Sequence, residues 1–232
     1  MSYTLRFVCP YFKDKQISVF QKKEKVSKKE KTRLPASFYT RTDIVQISKD
    51  LLGKVLVTNI DGQISSGIIV ETEAYKAPED KASHAYNNRL TKRTKVMFEE
   101  GGIAYVYLCY GIHHMFNVVT GKKGMAHAIL IRAVEPLDNI QLMLERRKRQ
   151  KANRQLTGGP GVLGKALGIT TQLTGTSLIN ANSPIWLEDR GISFSESEII
   201  ASPRVGIDYA EECIDWNWRF RVKRSKWTSP AK

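Results

Sequence analysis

The sequence has little cysteine and no long apolar run. Its three cysteines, Cys9, Cys109 and Cys213, are odd in number and far apart, so they predict neither a disulfide framework nor a zinc-binding pair. No apolar stretch approaches the length of a membrane span, and the first residues run into proline and lysines where a secretory signal would be apolar. These absences predict an intracellular protein with reduced thiols and no membrane partner.

Signatures of several enzyme classes are also missing. The sequence has no His, Cys and Asp cluster at metal-ligand spacing, no nucleophile elbow, and no Walker or kinase signature. We therefore expect no metal and no cofactor. The simplest chemistry that remains is a hydrolysis driven by one carboxylate and one water molecule.

Acidic residues are scarce relative to basic ones. The chain has 23 Asp and Glu against 37 Lys and Arg, which gives a net charge of +14. Such an excess predicts a polyanionic partner, most often a nucleic acid. Residues 1–33 hold ten basic and three acidic residues, so half of the net charge lies there. We interpret residues 1–33 as a mobile basic arm, which either binds phosphates without sequence preference or only aids solubility.

The remaining residues, 34–232, are predicted to form one α+β domain. Asp43 is placed to cap a helix with apolar positions at helical spacing, and Asp61-Gly62 is a hairpin turn between two strands. Asp138–Leu156 predicts one helix with an outward basic face that includes Arg146. The chain of 232 residues shows no internal repeat and no linker after Leu34, so one domain is favoured over two.

A predicted strand, Ile68–Tyr75, contains two glutamates. The two-residue period of a strand places Glu71, Glu73 and Tyr75 on one face. Glutamate is uncommon in strands and costly to bury without a partner. Two interpretations remain open: a solvent-facing edge strand whose carboxylates pair with lysines, or a carboxylate held in a pocket as a general base.

Histidine and tyrosine side chains follow this strand. His84 lies in a loop that can fold back over Tyr75, while Tyr107 lies in a later strand and Tyr110 beside the turn at Gly111. Aromatic residues in strands most often pack in the core. In a strongly basic protein they also suit the stacking of nucleic-acid bases. The pattern is therefore compatible with either role.

Taken together, the motifs resemble the alkyladenine (3-methyladenine) DNA glycosylase family. The resemblance covers roughly Leu34 to Ser229, in order and spacing, and does not include the basic arm. It rests on the segments LLGKVLV, GIIVETEAY, APEDKASHA, AYVYLCYGI, ILIRAVEP and GGPGVLGKALGI. Members of this family repair DNA by base excision. They flip a damaged purine out of duplex DNA and hydrolyse its N-glycosidic bond, which leaves an abasic site.

The resemblance also implies a catalytic pair and a stacking pocket. Glu73 matches the general base that deprotonates the attacking water, and Arg132 matches the arginine that helps to hold that water and the carboxylate. Tyr75, His84 and Tyr107 match the aromatic walls around the flipped base, and His84 also matches the position that reads the base edge. No covalent lysine intermediate is required, so the resemblance implies a monofunctional glycosylase without strand cleavage.

Two further roles concern the space around the base. Tyr110 matches the hairpin residue that intercalates into the vacated space in the duplex, and Asn117 matches the residue that crowds the exocyclic amino group of guanine. The family fold is one mixed domain with a curved antiparallel sheet, a protruding β-hairpin and surrounding helices. The implied partner is double-stranded DNA with damaged purines, bound by a monomer.

The sequence departs from the family pattern at four positions. Thr94 stands where asparagine is common, Val162 and Gly164 where lysine and cysteine are usual, and Arg224 where glycine is typical. These positions concern contacts with the DNA backbone and leave the pocket residues intact. The alternative to an enzyme is a nonenzymatic binder of distorted or damaged DNA, which would use the same basic surface but would not need Glu73.

Overall fold

The computed structural model describes residues 32–229, which form strands, short α-helices and 3-10 turns. In this part of the chain the strands are β1 (Thr32–Arg33), β2 (Val55–Ile60), β3 (Gln63–Lys76), β4 (Ile103–Cys109), β5 (His113–Thr120), β6 (His127–Asp138), β7 (Ile185–Asp189), β8 (Ile199–Ser202) and β9 (Arg219–Val222). The α-helices there are α1 (Ala36–Tyr39), α2 (Ile44–Asp50), α3 (Ile140–Arg147), α4 (Arg154–Thr157) and α5 (Pro160–Ala166). No helix among these residues is both long enough and apolar enough to cross a membrane.

All described strands belong to one curled antiparallel sheet. Its main order is β1-β7-β2-β3-β6-β5-β4, and β9 joins both β3 and β8. The largest core cluster packs apolar side chains of the sheet against α2, α3 and α5, which is the expected arrangement for layers of helix on sheet. The prediction of a single α+β domain is confirmed. The basic arm, apart from Thr32 and Arg33, lies outside the described residues.

Local signals near the first strands are confirmed. The Asp43 side chain accepts a hydrogen bond from the Gln46 N–H at 3.0 Å, as an N-cap residue does. Asp61 and Gly62 both have positive φ, 54° and 77°, and join paired strands β2 and β3 through a two-residue turn. A positive φ at both positions is the geometry that suits such a hairpin.

The predicted helix Asp138–Leu156 is wrong in its bounds. Strand β6 continues to Asp138, α3 ends before Lys148, and α4 begins only at Arg154. Lys148 adopts a left-handed conformation with φ 51°, which ends α3. Arg146 is half-buried, not outward, because its Nη1 donates to Ser65 Oγ at 3.0 Å.

The pairing of β3 with β6 is irregular near its middle. Ile69 pairs with Val134 and Thr72 pairs with Ile131, but Glu71 lies opposite Ala133. Val70 on β3 and Arg132 on β6 therefore have no direct partner in the ladder. The pairing register shifts by one residue at each of them in opposite directions, so the original register returns at Thr72. On its other edge β3 pairs first with β2 and then, over Glu71–Glu73, with β9. At Glu71 and Glu73, β3 therefore lies between β6 and β9.

Strand β4 pairs with β5 along its whole length, from Ile103 opposite Val119 to Cys109 opposite His113. Helix α5 packs on β5 so closely that a Cβ at Gly164 would lie 2.5 Å from the His114 carbonyl oxygen. This contact explains the glycine at position 164, which is one of the four positions where the sequence departs from the family pattern.

Candidate active site

One cavity of about 300 Å³ brings the predicted site residues together. Its wall includes every side chain to which the sequence assigned a role: Glu73, Tyr75, His84, Tyr107, Tyr110, Asn117 and Arg132. It opens between the β3–β6–β5–β4 part of the sheet and the segment that carries Val205 and Ile207. The structure shows that these side chains lie around one cavity, whereas the role of each residue stays a prediction.

Glu73 lies at the inner wall of this cavity and is fully buried. Its Oε2 accepts hydrogen bonds from the Tyr75 hydroxyl at 2.8 Å and from Arg132 Nη1 at 3.1 Å. Its Oε1 accepts a hydrogen bond from the Val205 N–H at 2.8 Å. The interpretation as a solvent-facing edge strand is wrong, because β3 is paired on both edges and arginine, not lysine, meets its carboxylates.

A second buried carboxylate, that of Glu71, also forms an ion pair with Arg132. Glu71 Oε1 accepts from Arg132 Nε at 2.9 Å and from Arg219 Nε at 2.8 Å. The Ser229 N–H and hydroxyl both donate to Glu71 at 2.6 Å. Burial alone would raise the pKa of Glu71, but Arg132, Ser229 and Arg219 outweigh it and lower that pKa. Arg132 thus forms ion pairs with two buried carboxylates, those of Glu71 and Glu73.

Sequence reasoning missed Arg219 and Ser229. Both lie about 150 positions beyond Glu71 in the chain, and only the pairing of β9 with β3 brings Arg219 to it. The one available signal was the alternation in RFRV, which places Arg219 and Arg221 on the same face of a strand.

Tyr75 is the donor to Glu73 and is itself held by a buried ion pair. Arg204 Cζ lies 4.8 Å from the centre of the Tyr75 ring, and Arg204 Nη2 donates to Asp80 Oδ1 at 2.8 Å. Burial and the Glu73 carboxylate raise the pKa of Tyr75 well above its usual value, so its hydroxyl stays protonated as a donor. Arg204 and Asp80 had no individual signal in the sequence.

His84, Tyr107 and Tyr105 form an aromatic wall opposite. The His84 ring centre lies 4.7 Å from that of Tyr107 in an edge-to-face arrangement. His84 Nδ1 lies 2.8 Å from the Tyr105 hydroxyl, and Arg93 Nη2 lies 2.9 Å from His84 Nε2. Burial first, and the Arg93 charge second, lower the pKa of His84 to about 4. His84 is therefore neutral at physiological pH.

Asn117 lies on β5 and is 3% exposed. Its Nδ2 donates to the backbone oxygens of Tyr105 and Met115, both at 3.1 Å. The side chain therefore satisfies backbone groups of the hairpin and also lines the cavity.

Tyr110 joins β4 to β5 and is 92% exposed. It has a positive φ of 50°, and Gly111 follows with 72°. Leu108 and Ile112 beside it are also exposed, at 47% and 72%. An interpretation of Tyr110 as a core residue is wrong, because its side chain has almost no protein contact.

The remaining departures have distinct surroundings. Thr94 is buried, and its hydroxyl donates to the Arg89 carbonyl at 2.7 Å, which closes the turn that carries Arg93. Arg224 is exposed and Val162 is half-buried. Within residues 32–229, no three His, Cys, Asp or Glu side chains are grouped so that they could hold a metal ion.

Comparisons with known proteins agree with this arrangement. The family model described as methylpurine-DNA glycosylase (MPG) matches residues 37–226. A relative from Chlamydia felis is 47% identical over 196 residues, which cover 83% of this chain and 98% of the relative. One from Clostridium novyi is 45% identical, with 85% and 98% covered, and one from Bacillus cereus is 48% identical, with 80% and 93% covered. The names of all three describe 3-methyladenine DNA glycosylases.

The fold and the extent of these matches define an enzyme of DNA repair, a DNA glycosylase that hydrolyses N-glycosidic bonds. The chain belongs to the methylpurine-DNA glycosylase family. This membership favours the enzyme over the nonenzymatic binder of damaged DNA.

Proposed function

We propose that the protein flips alkylated or deaminated purines out of duplex DNA and releases them with a water molecule activated by Glu73. The observation that carries this proposal is a buried carboxylate with free acceptor capacity on the wall of an aromatic cavity. Glu73 Oε2 accepts two hydrogen bonds, whereas Oε1 accepts one, from Val205, within the part of the chain that the structure describes.

The second lone pair of Glu73 Oε1 is the site for the attacking water. A water that donates a hydrogen bond there loses its proton to the carboxylate as its oxygen attacks the sugar carbon of the N-glycosidic bond. The bond to the base breaks with oxocarbenium character, and the negative carboxylate stabilises the positive charge that develops on the sugar. Arg132 keeps the carboxylate fixed through Oε2 and leaves Oε1 to the water.

The aromatic walls supply the binding of the flipped base. Tyr75 on one side, and His84 with Tyr107 on the other, offer ring faces for stacking, an interaction worth about 1–3 kcal/mol per base. An alkylated purine carries positive charge or is a better leaving group, so stacking and a neutral His84 suffice to hold it for hydrolysis.

Tyr110 is proposed to fill the gap that the flipped base leaves in the duplex. Its exposure at the end of β4 permits insertion without rearrangement of the core. Base flipping costs a few kcal/mol of stacking and pairing, which an inserted ring partly offsets.

Asn117 is proposed to exclude guanine. A purine in the cavity would meet its side chain, and the N2 amino group of guanine needs the volume that Asn117 occupies. Adenine derivatives and hypoxanthine lack that group, so the same contact leaves them bound.

The product is proposed to be an intact abasic site. No lysine is among the described residues that line the cavity, so nothing there can form a Schiff base with the sugar. Strand cleavage would need such an intermediate.

The test is a glycosylase assay on three matched duplexes that carry hypoxanthine, 3-methyladenine or normal adenine at one position. We expect abasic sites with the two damaged bases, no strand break before alkali treatment, and far slower product formation by Glu73→Gln. Binding of damaged duplex without release of any base would refute the proposed chemistry.

A further inference from the structure

Arg93 contacts three residues of the aromatic wall, although no role was assigned to it from the sequence. Its Nη2 lies 2.9 Å from His84 Nε2, and its Nε donates to the Tyr105 hydroxyl at 3.3 Å. Its Cζ also lies 4.7 Å from the centre of the Tyr107 ring. Arg93 is exposed and is not among the residues that line the cavity, so it contacts these groups from outside the cavity.

These contacts fix the protonation pattern of His84. A guanidinium group has only donors, so His84 Nε2 must be the acceptor of the bond from Arg93. A neutral imidazole with Nε2 unprotonated carries its proton on Nδ1. His84 Nδ1 therefore donates to the Tyr105 hydroxyl oxygen, which lies 2.8 Å away.

The same contacts determine what the Tyr105 hydroxyl can offer. Its oxygen accepts one hydrogen bond from His84 and one from Arg93, which uses both lone pairs. Among residues 32–229, the Tyr105 hydroxyl forms hydrogen bonds with His84 and Arg93 alone, and both of them donate to it. Its own hydrogen therefore has no acceptor in this part of the chain. Tyr105 is 2% exposed and lines the cavity, so the space left for an acceptor is the cavity itself.

We propose that Arg93 is a positioning residue that fixes His84 in one tautomer and thereby leaves the Tyr105 hydroxyl as a hydrogen-bond donor to the flipped base. The inference rests on the proposed function. It names the preferred ligand as a purine that presents a ring nitrogen or a carbonyl oxygen to Tyr105. Without Arg93, His84 Nε2 can carry the proton, and the Tyr105 hydroxyl can then donate to His84 Nδ1 and be lost to the base.

The first experiment examines His84 without DNA, so it does not depend on glycosylase activity. Nitrogen-15 NMR distinguishes a protonated from an unprotonated ring nitrogen across a pH titration. Arg93→Met keeps the aliphatic stem but removes the donors and the charge. Lys92→Met is the matched control, because Lys92 is an exposed neighbour of equal charge, whereas the contacts with His84, Tyr105 and Tyr107 belong to Arg93.

In the wild type and in Lys92→Met we expect His84 protonated on Nδ1 only, down to low pH. In Arg93→Met we expect a mixture of both neutral tautomers and a higher His84 pKa, because the guanidinium that lowers it is gone. Within residues 32–229, the charged and titratable groups that contact His84 are Arg93, Tyr105 and Tyr107, so no carboxylate in this part of the chain competes for this effect. Unchanged tautomer populations in Arg93→Met would overturn the proposal.

The second experiment measures single-turnover excision of hypoxanthine at saturating DNA. Tyr105→Phe and Arg93→Met should each lower the rate by about 3- to 10-fold, as the loss of one hydrogen bond does. The double variant should be no slower than either single one, because both remove the same donor. Arg93→Lys, which keeps one donor for Nε2, should restore part of the rate.

Lys92→Met should weaken only the DNA affinity and keep the rate at saturation. Multiplied effects in the double variant, or a rate for Arg93→Met equal to that of Lys92→Met, would make Arg93 an ordinary phosphate contact and overturn the proposal. If the wild type excises nothing, the proposed function fails, whereas the NMR result still decides the arrangement of Arg93 and His84.

Discussion

Replacement of Glu73 by glutamine separates chemistry from binding. Gln keeps the shape of the side chain, and its oxygen can still accept from Tyr75 and Arg132 on the Oε2 side. Its amide nitrogen then faces the Val205 N–H, so two donors oppose each other and the position for the water loses its acceptor. We expect excision to fall by about 10²–10⁴-fold, which corresponds to about 3–5 kcal/mol in the barrier.

The same substitution should cost about 1–3 kcal/mol in free energy of unfolding, because one buried N–H loses its acceptor. The assay is single-turnover release of hypoxanthine from duplex DNA, with binding of the same duplex measured in parallel. Lesion binding should be retained.

Glu71→Gln is the matched control, since it removes an equal charge from the same arginine but does not line the cavity. At a temperature where both variants are folded, Glu71→Gln should lose less rate than Glu73→Gln and at least as much stability. A rate for Glu73→Gln within tenfold of the wild type would refute the assignment of Glu73 as the base.

Three other predictions concern binding, flipping and selectivity. Removal of residues 1–31, which leaves the paired strand β1 in place, should weaken binding to all sequences and flatten its salt dependence, and an unaltered salt slope would make the arm passive. Tyr110→Ala should reduce flipping, reported by a fluorescent base, in a paired duplex but not in an unpaired bulge, and equal flipping of the paired lesion would contradict insertion. Asn117→Ser should raise excision of guanine-derived bases relative to hypoxanthine and also lower Tm, because two backbone oxygens lose their donor, whereas a lower Tm with an unchanged substrate ratio would reject the selectivity role.

Local physics accounts for the elements that the sequence predicted well. The Asp43 cap and the Asp61-Gly62 turn depend on residues within three positions of each other, so their signals are complete in the sequence. The helix predicted over Asp138–Leu156 failed because its periodicity could not show that β6 continues to Asp138 or that Lys148 adopts a left-handed conformation. Such a conformation has no sequence signature at a lysine.

The candidate site divides in the same way. The cavity residues were recoverable because they lie in motifs that resemble a known family. The residues that support them were not, since Arg219 and Ser229 are about 150 positions from Glu71 and Arg204 is about 130 positions from Tyr75. Long-range ion pairs of this kind depend on the strand pairing itself, which composition and periodicity do not encode.

The two compensating irregularities between β3 and β6 determine where this chain can change its length. Val70 and Arg132 are each left out of the ladder, and Glu73 lies opposite Leu130 beyond them. Because Val70 has no partner in the ladder, its loss would remove one irregularity and leave the pairing on both sides unchanged. Loss of a residue in the regular part of the strand, such as Ala74, would instead shift the pairing by one and turn Tyr75 away from the cavity, because successive strand residues face opposite sides. Single-residue deletions should therefore be excluded more strictly from the strand beyond Glu73 than from Val70 or from the exposed loop around Gln150.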